Sequence, residues 1–161
     1  MQLNPEVTVA AVVIRDGRFL LVEERIAGRL VLNQPAGHLE DRETLVEAVV
    51  RETREETAWR FHPEALVGTY LWRNPVNGRS FLRFAFCGEV DDHDPRQALD
   101  KGIVRALWLT AAELEVQPAR LRSPLVMRCI EDFLQGRRQP LDSVSELDLQ
   151  TSLRFPAVVS L

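Results

Sequence analysis

The segment GHLEDRETLVEAVVRETREETAW, from Gly37 to Trp59, constrains this chain more than any other stretch. Val46, Val50 and Thr53 share one stripe at helical spacing and Leu45 and Val49 lie on another. A helix over 43–57 must therefore lay an apolar face on a sheet and leave an acidic edge free. On its last two turns stand Glu52, Glu55 and Glu56, and helical residues three and four apart are neighbours. Two unit charges about 5 Å apart at an effective dielectric of about 20 repel by roughly 3 kcal/mol, so something positive belongs among the three carboxylates. A hard divalent cation, Mg2+ or Mn2+, suits such oxygen donors together with phosphate oxygens of a substrate. The alternative is a solvated ladder of Glu47, Arg51 and Glu55, one turn apart, worth about 0.3 kcal/mol per pair.

Just before the helix, Gln34-Pro35-Ala36-Gly37-His38 reads as a tight turn. Pro35 limits the backbone there, and Gly37 either takes positive φ or lets a ligand approach the main chain. Turn and helix together resemble the signature box of the Nudix hydrolases, with matches at Gly37, Glu43, Arg51, Glu52, Glu55, Glu56 and Trp59. Two positions depart from that pattern. Thr53 stands at an apolar site, and Ala58 replaces a glycine, at a cost of about 1 kcal/mol if the backbone there is left-handed.

The resemblance implies an α/β sandwich with a mixed sheet and cleavage of a nucleoside diphosphate linked to another group, with Mg2+ or Mn2+ and an activated water. It makes Glu52 and Glu56 the principal metal ligands and Glu55 a further or water-mediated one, with the backbone carbonyl around Ala36 and Gly37 completing the set. Arg51 braces the glutamates, and helical spacing lets it reach Glu47 and Glu55. Glu43 lies half a rotation from Glu52 on an ideal helix; it favours the helix N-terminus or pairs with Arg51. The proton acceptor is open. Many family members carry an acid near the segment Lys101-Gly102-Ile103-Val104-Arg105, and here none stands there. Either Glu55 or Glu52 acts as base, or the loop acids Asp91, Asp92, Asp94 and Asp100 contribute. That gap is also the one support for a Nudix module that binds a nucleotide without cleaving it.

QPAGHLE ahead of the helix, FLRF at Phe81 to Phe84 and LRSPLV at Leu121 to Val126 extend the resemblance to a phosphatase branch of the family. That branch acts on nucleoside tri- and diphosphates, on thiamine diphosphate and on its hydroxymethylpyrimidine precursor. A dinucleoside polyphosphate or an oxidised nucleotide is the alternative substrate. Substrate contacts are expected from Arg25, Gln34, His38, Trp72 and Arg83. His38 either touches the leaving phosphate or is a plain turn histidine. Arg83, expected exposed among aromatics, either contacts a phosphate or base or is a surface cation. Trp72, Phe81 and Phe84 either stack on a ring or fill the core.

Composition closes off other classes. At 161 residues and 45% apolar content, the chain suits one domain with a full core. A net charge of −4 gives no reason to expect nucleic-acid binding. No basic-then-apolar leader and no membrane-length apolar run is evident, so a cytoplasmic monomer or homodimer acting on a small phosphate ester or nucleotide is expected. Cys87 and Cys129 lie in apolar contexts as reduced core residues. Val7 to Ile14 reads as a doubly buried strand, and Asp16-Gly17 turns it into a hairpin with Phe19 to Glu23. Arg25 to Arg29 is a loop. Ala65 to Arg73, Ser80 to Val90 and Ile103 to Leu109 are strands, and 91–100 is a mobile acidic loop. Thr110 and Ser123 cap two C-terminal helices. The domain is expected to span 1–142, with 143–161 a tail.

Overall fold

The computed structural model describes residues 4–147. Its strands are β1 (Glu6–Val12), β2 (Ile14–Arg15), β3 (Arg18–Ile26), β4 (Arg29–Asn33), β5 (Ala36–His38), β6 (Arg60–Arg73), β7 (Ser80–Asp91) and β8 (Ile103–Leu109). The helices are α1 (Leu45–Thr57), α2 (Ala111–Glu115) and α3 (Leu125–Leu134). One mixed sheet runs β5-β1-β7-β6, with β1 parallel to β7 and the other pairs antiparallel. In the second sheet, β3 pairs antiparallel with β2, β4 and β8.

Strand β1 shows why the sheet lies between two cores. Successive side chains point to opposite faces. Val9 and Ala11 join Leu45, Ala48 and Val49 of α1 on one side, while Ala10 and Val12 join Cys129 and Ile130 of α3 on the other. The run Thr8 to Val12 has no solvent face to offer, whereas the strand expected over 7–14 stops at Val12, and Ile14, 38% exposed, belongs to β2. The expected hairpin is shorter than that reading. Asp16 and Gly17 do take positive φ, but they join only β2 to β3, and β1 itself pairs in the other sheet. Buried Val13 lies between the two short paths.

Local chemistry sets the limits of α1. Thr44 caps it, accepting from Glu47 N at 3.1 Å while Glu47 Oε2 accepts from Thr44 N at 2.8 Å, so the helix begins later than residue 43. At the other end Ala58 is left-handed, φ 61°, which is the conformation that makes a missing glycine costly. Thr53 is fully buried, and its hydroxyl donates to Val49 O at 2.7 Å, so the polar atom is satisfied inside the helix. Ser123 does not cap α3 conventionally; Pro124 is the cap residue, and Ser123 Oγ accepts from Leu125 N at 3.3 Å.

Other expectations change in detail. Residues 34–38 are not a free turn, because Ala36–His38 pairs with β1 as an edge strand. The region 25–29 is a tight hairpin in which Ala27 and Gly28 have positive φ and Arg25 remains in β3. The acidic loop after β7 is tied to the C-terminal end of α1: Asp94 N donates to Ala58 O at 3.1 Å and Asp100 N to Glu55 O at 3.0 Å. Cys87 and Cys129 are buried free thiols. The chain after 142 is partly packed, since Val144 lies against the α1 core and Glu146 Oε1 accepts from Leu45 N at 2.7 Å. The remainder of the expected tail, 148–161, lies outside the described residues. Among the described residues no helix is long and apolar enough to cross a membrane.

One buried carboxylate ties two strands of the second sheet to the turn after α2. Glu23 on β3, 4% exposed, accepts from Arg105 of β8 at 3.0 Å and from Arg120 in the turn after α2. The hydrogen bond from Arg105 holds its carboxyl below the ordinary value of 4.5, against the opposing effect of burial. Its contribution to stability is therefore complete above about pH 4.5 and is lost as pH falls through the lowered value. Glu23→Gln is expected to melt below wild type at pH 7, with the gap closing toward pH 3. A gap of constant size in thermal melts across that range would refute this.

Candidate active site

Arg51 is the hub of the acidic face. Its Nε and Nη2 fork onto the two oxygens of Glu43 at 2.9 and 2.6 Å. Its Nη1 donates to Glu52 Oε1 at 2.8 Å and to Glu55 Oε2 at 3.1 Å, and Nη2 also reaches His38 O at 3.1 Å. These carboxylates, Glu43 first, hold the guanidinium even more firmly protonated than usual. Part of the positive charge that crowded carboxylates require is thus built into the helix. Glu47, expected within reach of Arg51, is instead engaged in the capping box.

One arginine does not balance all the acids that gather here. Glu52, Glu55 and Asp100 bring carboxylate oxygens within 4.8 Å of one another. Glu52 is 9% exposed, and burial raises its carboxyl above the ordinary value while Arg51 opposes the rise. Glu56, equally buried, lies one turn beyond Glu52: its Oε2 accepts from Ala36 N at 2.9 Å, and burial pushes its carboxyl up to about 9. The trio is a set of hard oxygen donors that fits a divalent cation. Of the four loop acids only Asp100 joins it. Asp91 is paired with Arg60 at 2.9 Å and His62 at 2.8 Å, Asp94 accepts from Arg96 N at 3.0 Å, and Asp92 lies 3.9 Å from Arg60.

Gly37 has no positive φ; a close approach is what requires it. A Cβ at this position would lie 2.1 Å from the carboxyl carbon of Glu52. Edge strand and helix therefore meet through a side chain packed directly on a bare backbone, and Ala36 N reaches Glu56 from the same strand.

Beside this acidic face opens a cleft of about 600 Å³, a size suited to a nucleotide-scale ligand. Glu52 and Glu56 line it, as do Trp72 and Phe81, whose rings stack at 5.8 Å and 22°. Among the expected substrate contacts, His38 also lines the cleft, with Nε2 2.7 Å from Glu6 Oε2. Arg83 lines it as well, but it is 7% exposed rather than a surface cation. Gln34 is buried and lies outside the cleft lining; it accepts from Arg83 at 3.3 Å and donates to Val126 O at 2.7 Å. Arg25 is exposed on the opposite face of β3 from Glu24 and Ile26, which do line the cleft. Phe84 packs into the α1 core. Thr8, Glu24, Asn33, Arg79 and Arg122 line the cleft without having been anticipated. Alternation along β3 could have pointed to Glu24, but which face met the cleft depended on pairing.

A family profile described as NUDIX domain matches residues 4–128. The chain belongs to the Nudix family. It is 43% identical over 145 residues to phosphatase NudJ of Escherichia coli (strain K12), covering 90% of this chain and 94% of that protein. A NUDIX hydrolase from Nitrosomonas europaea superposes with a TM-score of 0.88 at 49% identity, covering 91% of this chain and 99% of that one. The E. coli ORF135 protein shares the fold, with a TM-score of 0.65 at 24% identity over 89% of this chain and 96% of that one. The α/β architecture with a mixed sheet is thus the Nudix fold, and the chain is a Nudix hydrolase that acts on pyrophosphate linkages of small nucleotide-type molecules. Nudix hydrolases generally use divalent metals, in keeping with the converging carboxylates.

The Gly37 contact gives a direct test. The group that a new methyl would displace is the flexible end of Glu52, so Gly37→Ala is expected to fold with a melting temperature close to wild type. Because Glu52 must move, phosphate release should fall by about 100-fold or more. Undiminished turnover in the variant would show that the Glu52 position is unimportant.

Proposed function

We propose that this Nudix hydrolase cleaves phosphoanhydride bonds in nucleoside di- and triphosphates and in related diphosphates, including thiamine diphosphate or its pyrimidine precursor, with Mg2+ or Mn2+, releasing phosphate. The observation that carries this reading is the convergence of Glu52, Glu55 and Asp100 beside a cleft of nucleotide size. Likeness to a protein named phosphatase NudJ supports the phosphate-releasing form of the reaction.

Glu52, Glu55 and Glu56 are the residues to hold the cation, with the Gly37 backbone beside them and the Asp100 carboxylate within 4.8 Å of those of Glu52 and Glu55. When bound, the cation supplies charge neutralisation for the diphosphate and a lowered pKa for water. Arg51 keeps Glu52 and Glu55 oriented through hydrogen bonds at 2.8 and 3.1 Å. Asp100 is the proton acceptor in this reading, because Glu52 and Glu55 are both engaged by Arg51, whereas the Asp100 side chain makes no hydrogen bond among the described residues. A water oxygen attacks phosphorus, its proton passes to Asp100, and the bond from phosphorus to the bridging oxygen breaks. His38, at the cleft wall, meets the leaving phosphate. Trp72 offers its ring to the organic group, and Arg83 contacts the same group from the buried side. Gln34 serves by anchoring Arg83, and Arg25 has no part in the cleft.

Glu52→Gln and Glu56→Gln should each lower phosphate release from a nucleoside triphosphate by about 1,000-fold or more while far-UV circular dichroism stays unchanged. Near-normal rates in both variants would sink the proposal. Asp100→Asn should lower kcat by about 100-fold or more with KM little changed, as expected for a lost proton acceptor. A variant that retains kcat would return the base to Glu55.

A further inference from the structure

Four buried polar atoms in this molecule have no hydrogen-bond partner among the described residues: Thr8 Oγ1, Glu24 Oε1, Asn33 Oδ1 and Arg83 Nε. All four residues line the same cleft. Thr8, Asn33 and Arg83 are each 7% exposed, so water does not freely compensate them. An unpaired buried polar atom costs about 1–3 kcal/mol, and folded proteins rarely leave one so. Four around one cleft point to hydrogen bonds aimed at a ligand.

The strands place these atoms firmly. Thr8 and Arg83 sit opposite each other on β1 and β7, and Asn33 pairs with Val22, two residues before Glu24 on β3. Arg83 is steadied by Gln34, itself held by Val126 O. Glu24 Oε1 lies 3.8 Å from Arg122 Nε, close enough to balance charge and too far for a hydrogen bond. Trp72 and Phe81 give the same cleft a flat apolar slab.

This pattern is wrong for a phosphate. A phosphate offers no strong donors and would meet the Glu24 carboxylate with like charge. A flat ring bearing an exocyclic amino group beside an unprotonated ring nitrogen fits instead. Its amino N–H donates to Glu24 Oε1, and its ring nitrogen accepts from Arg83 Nε–H. A keto group beside a ring N–H reverses both polarities, setting oxygen against carboxylate and N–H against guanidinium.

We propose that Glu24 and Arg83, flanked by Asn33 and Thr8, form the subsite that selects the organic end of the substrate, admitting aminopyrimidine-edged rings over keto-edged ones. The proposal rests on reading the cleft as the substrate site of the hydrolase.

CMP and UMP differ only at the edge in question. Calorimetric titration of the full chain should show CMP binding about 10-fold or more tighter than UMP, since a site built for one hydrogen-bond pattern leaves its polar groups unpaired with the other. Glu24→Gln, whose amide can donate to a carbonyl, should bring the two within about 3-fold while the melting temperature holds. Arg83→Lys, which removes the Nε donor, should narrow the gap as well, and Glu24→Gln alone decides the matter if that variant fails to fold. Equal binding, no measurable CMP binding, or a preference that survives Glu24→Gln would overturn the proposal. Phosphate release from CTP and UTP with Mg2+ separates the two readings. If neither is hydrolysed while CMP is still preferred, the proposed reaction fails and the subsite stands. If both are hydrolysed with equal kcat/KM, the subsite fails and the reaction stands.

Discussion

Helix α1 exists in its acidic form because one guanidinium stands among four carboxylates. Arg51 forks onto Glu43, shares its remaining donors between Glu52 and Glu55, and lies 3.8 Å from Glu40. Without it, buried Glu52 would face Glu55 with nothing between them. An arginine suits the task better than a lysine, since its planar donors reach several acceptors at fixed angles. Compensation is incomplete, however. Glu56 and Asp100 are carboxyls that Arg51 does not touch, and burial first, then the neighbouring acids, raises the carboxyl of Glu56. The fold thus carries an acidic site that is tolerable as it stands and better balanced with a cation in it.

The rest of the scaffold holds that site in register. Edge strand β5 presses Gly37 against Glu52 and gives Ala36 N to Glu56, so helix and sheet are joined through the site itself. The segment after β7 returns to the end of α1 and sets Asp100 beside Glu55 by a backbone hydrogen bond. Val144 and Glu146 reach α1 from the far end of the described chain. Beyond the acidic pole the cleft changes character. It becomes a mixed pocket of buried acceptors and donors beside an aromatic slab, which is suited to organic recognition rather than to charge neutralisation.

Local spacing carried much of this in the sequence. The helix, its apolar stripe, its glutamates and the Arg51 to Glu43 pairing all arise from interactions within one short segment. So does the left-handed strain at Ala58, visible as a missing glycine in a family pattern. The buried part of β1 was readable because a run that is apolar but for Thr8 has no polar face to offer. The strand expected over 80–90 is β7, with its alternation, yet Arg83 was expected on the surface. Alternation says only that two faces differ, and the face carrying Arg83 is covered by α3 and Gln34 from elsewhere in the chain.

By itself, then, the sequence determined the Nudix box, the helix that bears it and the class of chemistry, because these depend on residues within a few turns of one another. Only the tertiary structure decided that Asp100, among four loop acids, joins Glu52 and Glu55. It alone assigned Gln34 to anchoring, sent β1 and β3 to different sheets, and gathered Thr8, Glu24, Asn33 and Arg83 around one cleft. The reason is physical: which strand pairs with which, and which face is then covered, is settled by burial summed over the whole domain rather than by the preference of any one segment.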